Sequence, residues 1–173
     1  NQETIEKINS YKNVKVFFGP RVSKVQAINR DIDKISKEEF DWDILLYASD
    51  DYIPQEIEFD KVIVEEMLNN FPDLDGGLWF FDGYRKDINT ISIMTRKRYE
   101  RFGYIYYPEY KTWFCDDEYT LIGLAEKKLV YIDRAIIKHE FPDYNPSVAK
   151  DELYHYNLRS ELTDFDTGVF NRR

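Results

Sequence analysis

Basic residues, cysteine and histidine are all scarce in this chain, and each shortage removes a class of function. The 24 Lys and Arg are outnumbered by 33 Asp and Glu, for a formal charge of -9. Nucleic-acid binding needs a basic face to neutralise phosphates, so that class is set aside. The one cysteine, Cys115, excludes an internal disulfide and a cysteine-built zinc site, and agrees with a reducing, cytoplasmic compartment. No apolar run approaches the roughly 20 residues that a spanning helix takes. Internal repeats and low-complexity segments are lacking as well. Apolar and aromatic residues are plentiful, at 43% and 17% of 173 residues, which is enough core for a single domain over 1–173.

The apolar periods alternate along the chain. Ile5, Ile8 and Tyr11 have helical spacing, and "VKVFF" (14–18) reads as a strand closed by Gly19-Pro20. Val25, Ile28, Ile32 and Ile35 form one stripe, which predicts a helix over about 22–38. "DILLYA" reads as a buried strand, and Pro54 as the start of a further helix. "GGLWFFD" (76–82) and "ISIM" (91–94) are strands, and Thr95 caps the helix "RKRYERF", which Gly103 ends. A helix over about 117–128 and one strand over "LVYIDRAIIKH" (129–139) follow. Strands alternating with helices predict an α/β sandwich with a mixed, mainly parallel sheet, in which Val14 to Phe18, Ile44 to Ala48 and Leu78 to Phe81 are neighbours. Ligands of such sheets bind beyond the carboxyl ends of the strands. The tail from Pro142 reads as a partly helical arm or flap.

One strand end stands out. The apolar run Ile44 to Ala48 delivers the chain into Ser49, Asp50 and Asp51. Adjacent carboxylates repel, and burying one without a partner is costly, so the strand is either leaving the protein or meeting a cation. Two Asp can also simply turn the chain. A second acidic cluster, Asp116, Asp117 and Glu118, opens a later helix, where the helix dipole alone favours acidic side chains.

Four segments in order, "RVSKVQAIN", "DILLYASDDYIP", "WFCDDEYT" and "AIIKHEFP", resemble the GT-A nucleotide-sugar glycosyltransferases, specifically family 2. The resemblance covers roughly residues 14–142. It implies a GT-A-like, Rossmann-like sandwich that binds a nucleotide-sugar donor with Mn or Mg and passes the sugar to an acceptor hydroxyl with inversion. On it, Asp51 and His139 would hold the metal, and Asp50 would touch the ribose or a metal-bound water. Asp116 would be the catalytic base, with Asp117 as the alternative one position on. Ser49 stands where the family carries its first motif Asp, which changes the donor contact there. The family's opening strand, helix and strand have no counterpart before Val14, so 1–142 is expected to be an amino-terminally truncated core with 143–173 as an arm.

Further donor contacts are expected from Arg21 and Lys24, beyond the "VKVFF" strand, and from Asp82 with Trp79 on the floor of the sugar site. Tyr104, Tyr106, Tyr107, Tyr110 and Trp113 offer an aromatic surface on which a saccharide acceptor could stack, or else plain core. Cys115 and His155 carry no assigned role. Two other readings use the same residues. A metal-dependent phosphohydrolase would normally take more His or Asp ligands, and a catalytically silent chain would serve as a binding or scaffolding domain.

Overall fold

The computed structural model describes residues 2–11, 14, 16–37 and 41–173, the side chains of 2, 4, 5, 9, 36 and 37 excepted. The order is α1 (Gln2–Asn9), α2 (Lys24–Lys37), β1 (Ile44–Leu46), β2 (Tyr52–Pro54), α3 (Phe59–Asn70), β3 (Gly77–Phe80), β4 (Ile93–Thr95), α4 (Arg96–Phe102), α5 (Cys115–Ala125), β5 (Leu129–Ile132), β6 (Ile137–His139), α6 (Glu152–Asn157) and α7 (Ser160–Arg172).

Four strands form the main sheet in the order β1-β4-β3-β5, while β2 and β6 pair in a separate two-stranded sheet. The class is α/β with a mixed sheet, but most pairings are antiparallel. Strand β4 runs antiparallel to both neighbours, and only β3 with β5 is parallel. The expectation of a mainly parallel sheet is therefore corrected, because one reversed strand inside a short sheet converts two pairings at once. Since β1 and β3 both oppose β4, the strands β1, β3 and β5 still point the same way, and their carboxyl ends share one edge.

The pleat sends successive side chains to opposite faces. Leu78, Phe80 and Ile93 join Ile63 and Met67 of α3, and Phe71 just past its end, on one side. Trp79 and Met94 join Val25 and Ile32 of α2, Cys115 and Tyr119 of α5, and Val169 of α7 on the other. Tyr106 and Tyr110 belong to that second core, at 2% and 0% exposure. They pack rather than offer a stacking surface, and Trp79 does the same.

Local groups close the helix ends. Ser23 and Gln26 exchange capping bonds at the start of α2, with the Gln26 N–H donating to Ser23 Oγ at 3.3 Å. Thr95 Oγ1 accepts from the Arg98 N–H, and Gly103 ends α4 at φ 73°. Thr95 also bonds both the N–H and the C=O of Gly76, at 3.1 and 3.2 Å, tying the cap to the start of β3. Thr95→Ala is expected to cost about 1 to 2 kcal/mol in urea denaturation, with Thr95→Ser recovering most of it. A loss below about 0.5 kcal/mol would show that the cap is dispensable.

Other expectations fail where a strand or helix depends on partners. Val14 and Val16 to Phe18 form no strand, and Phe18 is 70% exposed; Lys15 lies outside the described residues. Pro54 ends β2 rather than starting a helix, and α3 begins only after Glu58 turns the chain at φ 63°. The run 129–139 is split into β5 and β6 because Asp133 and Arg134 turn outward. Asp133 pairs with Lys86 at 2.7 Å and Arg134 with Glu56 at 2.8 Å.

Candidate functional site

The short β2/β6 sheet assembles the first part of the site. Its register sets Tyr52 opposite His139, and the Glu140 N–H donates to the Asp51 carbonyl at 2.8 Å. The acidic end of one segment thus meets the histidine end of another, 88 residues later, with His139 Nε2 3.2 Å from Asp51 Oδ2. The His139 N–H donates to the Asp82 carbonyl at 2.9 Å, which joins this pair to the end of β3. Tyr52 covers the imidazole edge-on, with ring centroids 4.8 Å apart.

Asp51 Oδ1 and His139 Nδ1 are both buried and lack a hydrogen-bond partner. A buried polar atom without a partner is costly, and each therefore points to a missing neighbour. The 3.2 Å separation is a hydrogen-bond length. It is also about the spacing of two adjacent ligands around an ion bound at roughly 2.1 to 2.2 Å. Among the described residues no group of three or more His, Cys, Asp or Glu side chains gathers as a metal site. Asp51 and His139 alone would offer a divalent ion two ligands, one oxygen and one nitrogen.

Partial burial works to raise the Asp51 pKa, but the hydrogen bond and charge of His139 outweigh it and hold the carboxyl below its ordinary value. A carboxyl whose pKa is lower folded than unfolded contributes stability above the unfolded value of about 3.9 and loses it as pH falls through the folded value. Asp51→Asn should consequently lose less stability than the native chain between neutral pH and pH 3, measured by urea denaturation across that range. Equal acid sensitivity would show that the ion pair contributes nothing.

Asp82 is buried, and its carboxylate organises the loop after β3. Oδ1 accepts from the N–H groups of Tyr84 and Arg85 at 2.8 and 2.6 Å, and Oδ2 accepts from the Thr90 hydroxyl at 2.7 Å. The Tyr52 hydroxyl in turn donates to the Thr90 carbonyl at 2.5 Å. Asp82, expected as a donor contact, thus fastens the loop after β3 through both of its oxygens.

The second acidic cluster comes from α5, which starts after Phe114 turns at φ 61°. Asp116 Oδ1 accepts from the Asp117 N–H at 3.2 Å, and the Asp116 carbonyl accepts from Thr120 Oγ1 at 2.7 Å. Burial, and then repulsion from Asp116, raise the Asp117 pKa against the pull of Arg85. Burial also raises the Tyr52 pKa well above its usual value, with Tyr47, Asp51, Asp116 and Asp82 adding to it in that order. Tyr52 is thus within electrostatic reach of both acidic clusters. Lys24, in the first turn of α2, is exposed as a residue, yet protein groups partly desolvate its ammonium. That acts to lower its pKa, and Cys115, Asp116, Tyr47 and Asp51 more than reverse the effect, so the pKa is raised.

Asp51 and Asp116 thus act electrostatically on both Tyr52 and Lys24, with His139 bonded to Asp51 and Asp117 next to Asp116 on α5. Asp50 is exposed, and the Ser49 hydroxyl donates to Asp50 Oδ1 at 3.3 Å. Arg21 lies over the Tyr156 ring, 5.3 Å from its centroid. Sequence reasoning passed over Tyr47, Tyr52 and Thr90. Only the adjacency of Tyr52 to Asp51 hinted at its place, because the other contacts cross the fold. Compared with known proteins, the chain matches no family model, no curated protein and no solved structure.

Proposed function

We propose that the chain binds a nucleotide-sugar donor at this site and transfers the sugar to an acceptor hydroxyl with inversion. The observation that supports this reading best is that Asp51 and Asp116, one from each acidic cluster, both act electrostatically on Lys24 and on Tyr52. The order of the segments that resemble family 2 of the GT-A glycosyltransferases adds to it.

In the proposed reaction the acceptor oxygen attacks the anomeric carbon and gives its proton to the carboxylate of Asp117 or Asp116. The bond from that carbon to the phosphate oxygen breaks, and the nucleoside diphosphate leaves with the electron pair from the opposite face. Lys24, coupled to Asp116 and Asp51, keeps a positive charge suited to the diphosphate. Asp51 and His139 would hold Mn or Mg, which when bound supplies positive charge against the departing phosphate. Asp82 and Thr90 keep the floor rigid, so that donor and base are held in a reactive geometry.

A panel of nucleotide sugars with Mn, read first by thermal shift and then by release of free nucleoside diphosphate, tests the proposal. Stabilisation together with release supports transfer or slow donor hydrolysis. Stabilisation without release on any acceptor would assign the chain to binding alone, and no response to any donor would remove the reading. Release of inorganic phosphate instead of nucleoside diphosphate would mark a phosphohydrolase.

A further inference from the structure

The helix α7 belongs to the tail that the sequence suggested was an arm, yet one of its carboxylates is among the most heavily used in the protein. Asp166 is fully buried. Its Oδ1 accepts from the Lys111 N–H, and its Oδ2 accepts from the N–H groups of Thr112 and Trp113, all at 2.8 Å. The chain then reaches Phe114, whose left-handed backbone starts α5, the helix with Asp116 and Asp117 in its first turn. From the other side, the Lys111 carbonyl accepts from the N–H of Val25, next to Lys24, at 3.3 Å. The segment 111–113 is therefore a strut between the helix that carries the lysine and the helix that carries the two acids, and Asp166 is its fastening.

Neighbouring contacts reinforce the same junction. Phe170 stacks on Phe114 with ring centroids 5.5 Å apart, Val169 is 1% exposed, and the Trp113 indole N–H donates to the Asn157 carbonyl at 2.8 Å. Three consecutive N–H groups turned toward one carboxylate form a charge-assisted cradle, stronger and more directional than neutral hydrogen bonds. These donors lie 53 to 55 residues from Asp166, so the cradle is tertiary structure rather than a local turn.

We infer that Asp166 is a positioning residue for the acidic pair at the start of α5, acting through the amides of Lys111, Thr112 and Trp113. The role in catalysis rests on the reading of Asp117 or Asp116 as the base, whereas the positioning itself can be measured without any sugar or nucleotide.

The test compares Asp166→Asn, Asp166→Glu and Val169→Ala with the native chain by NMR. The readouts are amide exchange at 111–113 and the carbon-detected titration of Asp117. An amide in place of the carboxylate presents N–H groups to donors, so Asp166→Asn should speed exchange at 111–113 by about 10- to 100-fold. The Asp117 midpoint should fall toward the ordinary aspartate range as the start of α5 loosens and its carboxyl becomes more solvated. Asp166→Glu keeps the charge and should give a smaller change in both, which preserves the test if the Asn variant fails to fold. Val169→Ala loosens the same helix without touching the carboxylate; it should lower the melting temperature while leaving the Asp117 titration of the folded protein in place. Unchanged exchange and titration in both Asp166 variants would overturn the inference, as would an equal Asp117 shift in Val169→Ala, which would mark Asp166 as merely structural. Failure of every nucleotide sugar to bind, with these shifts observed, would sink the catalytic reading alone.

Discussion

Asp117→Asn is expected to lower sugar transfer by about 10²- to 10⁴-fold, the range typical of removing a general base, while leaving nucleoside diphosphate binding close to native. Asn keeps the shape but cannot take a proton. The choice of Asp117 over Asp116 departs from the order the motif suggests, and it rests on environment. Asp116 bonds its neighbour's N–H through its own carboxylate, whereas Asp117 sits where burial and repulsion from Asp116 raise its pKa. A raised pKa brings a carboxylate closer to the pH at which it must accept a proton, which favours base catalysis. The rate should accordingly rise with pH through a midpoint above that of an ordinary aspartate, because the base works only when ionised. Measuring both Asn variants decides the matter. If Asp116→Asn loses transfer and Asp117→Asn keeps it, the base moves one position back; if both retain it, the reaction uses no carboxylate from this helix.

The second large effect is expected on metal binding. In calorimetry with manganese and a nucleoside diphosphate present, Asp51→Ala and His139→Ala should each weaken manganese binding by at least about 10- to 100-fold, since each removes a ligand rather than a supporting group. The pair is already in place, with Nε2 and Oδ2 3.2 Å apart and one further buried nitrogen and one oxygen unpartnered. Unchanged affinity in His139→Ala would return this residue to a plain ion pair with Asp51. Unchanged affinity in Asp51→Ala would take the metal out of the proposed mechanism. Zinc is a useful comparison, because a site with one imidazole and one carboxylate discriminates among divalent ions less by affinity than by what completes the shell.

Some of this protein was legible residue by residue. The stripe Val25, Ile28, Ile32, Ile35, the Thr95 cap and the Gly103 stop mark helices that the structure contains, because periodicity and capping act within a few residues along the chain. The resemblance pairs Asp51 with His139, and the two side chains lie 3.2 Å apart. The strands were less legible. "VKVFF" has strand composition but no ladder among the described residues, and "LVYIDRAIIKH" divides between two sheets where Asp133 and Arg134 find partners far away in sequence. A strand is completed by a neighbour that its own sequence does not specify. For the same reason the reversal of β4 had no local sign.

Within the site, the sequence by itself determined which acidic and basic residues are available, their order, and the helix starts that carry Lys24, Asp116 and Asp117. Only the tertiary structure decided what each one does. It spent the carboxylate of Asp82 on a loop and raised the pKa of Asp117. It drew Tyr52 over His139, and it bound three amides of the 111–113 strut to Asp166 on the last helix. Burial, repulsion between charges and the satisfaction of buried N–H groups depend on distances across the fold, and those distances exist only once the sheet and its helices have closed around one another.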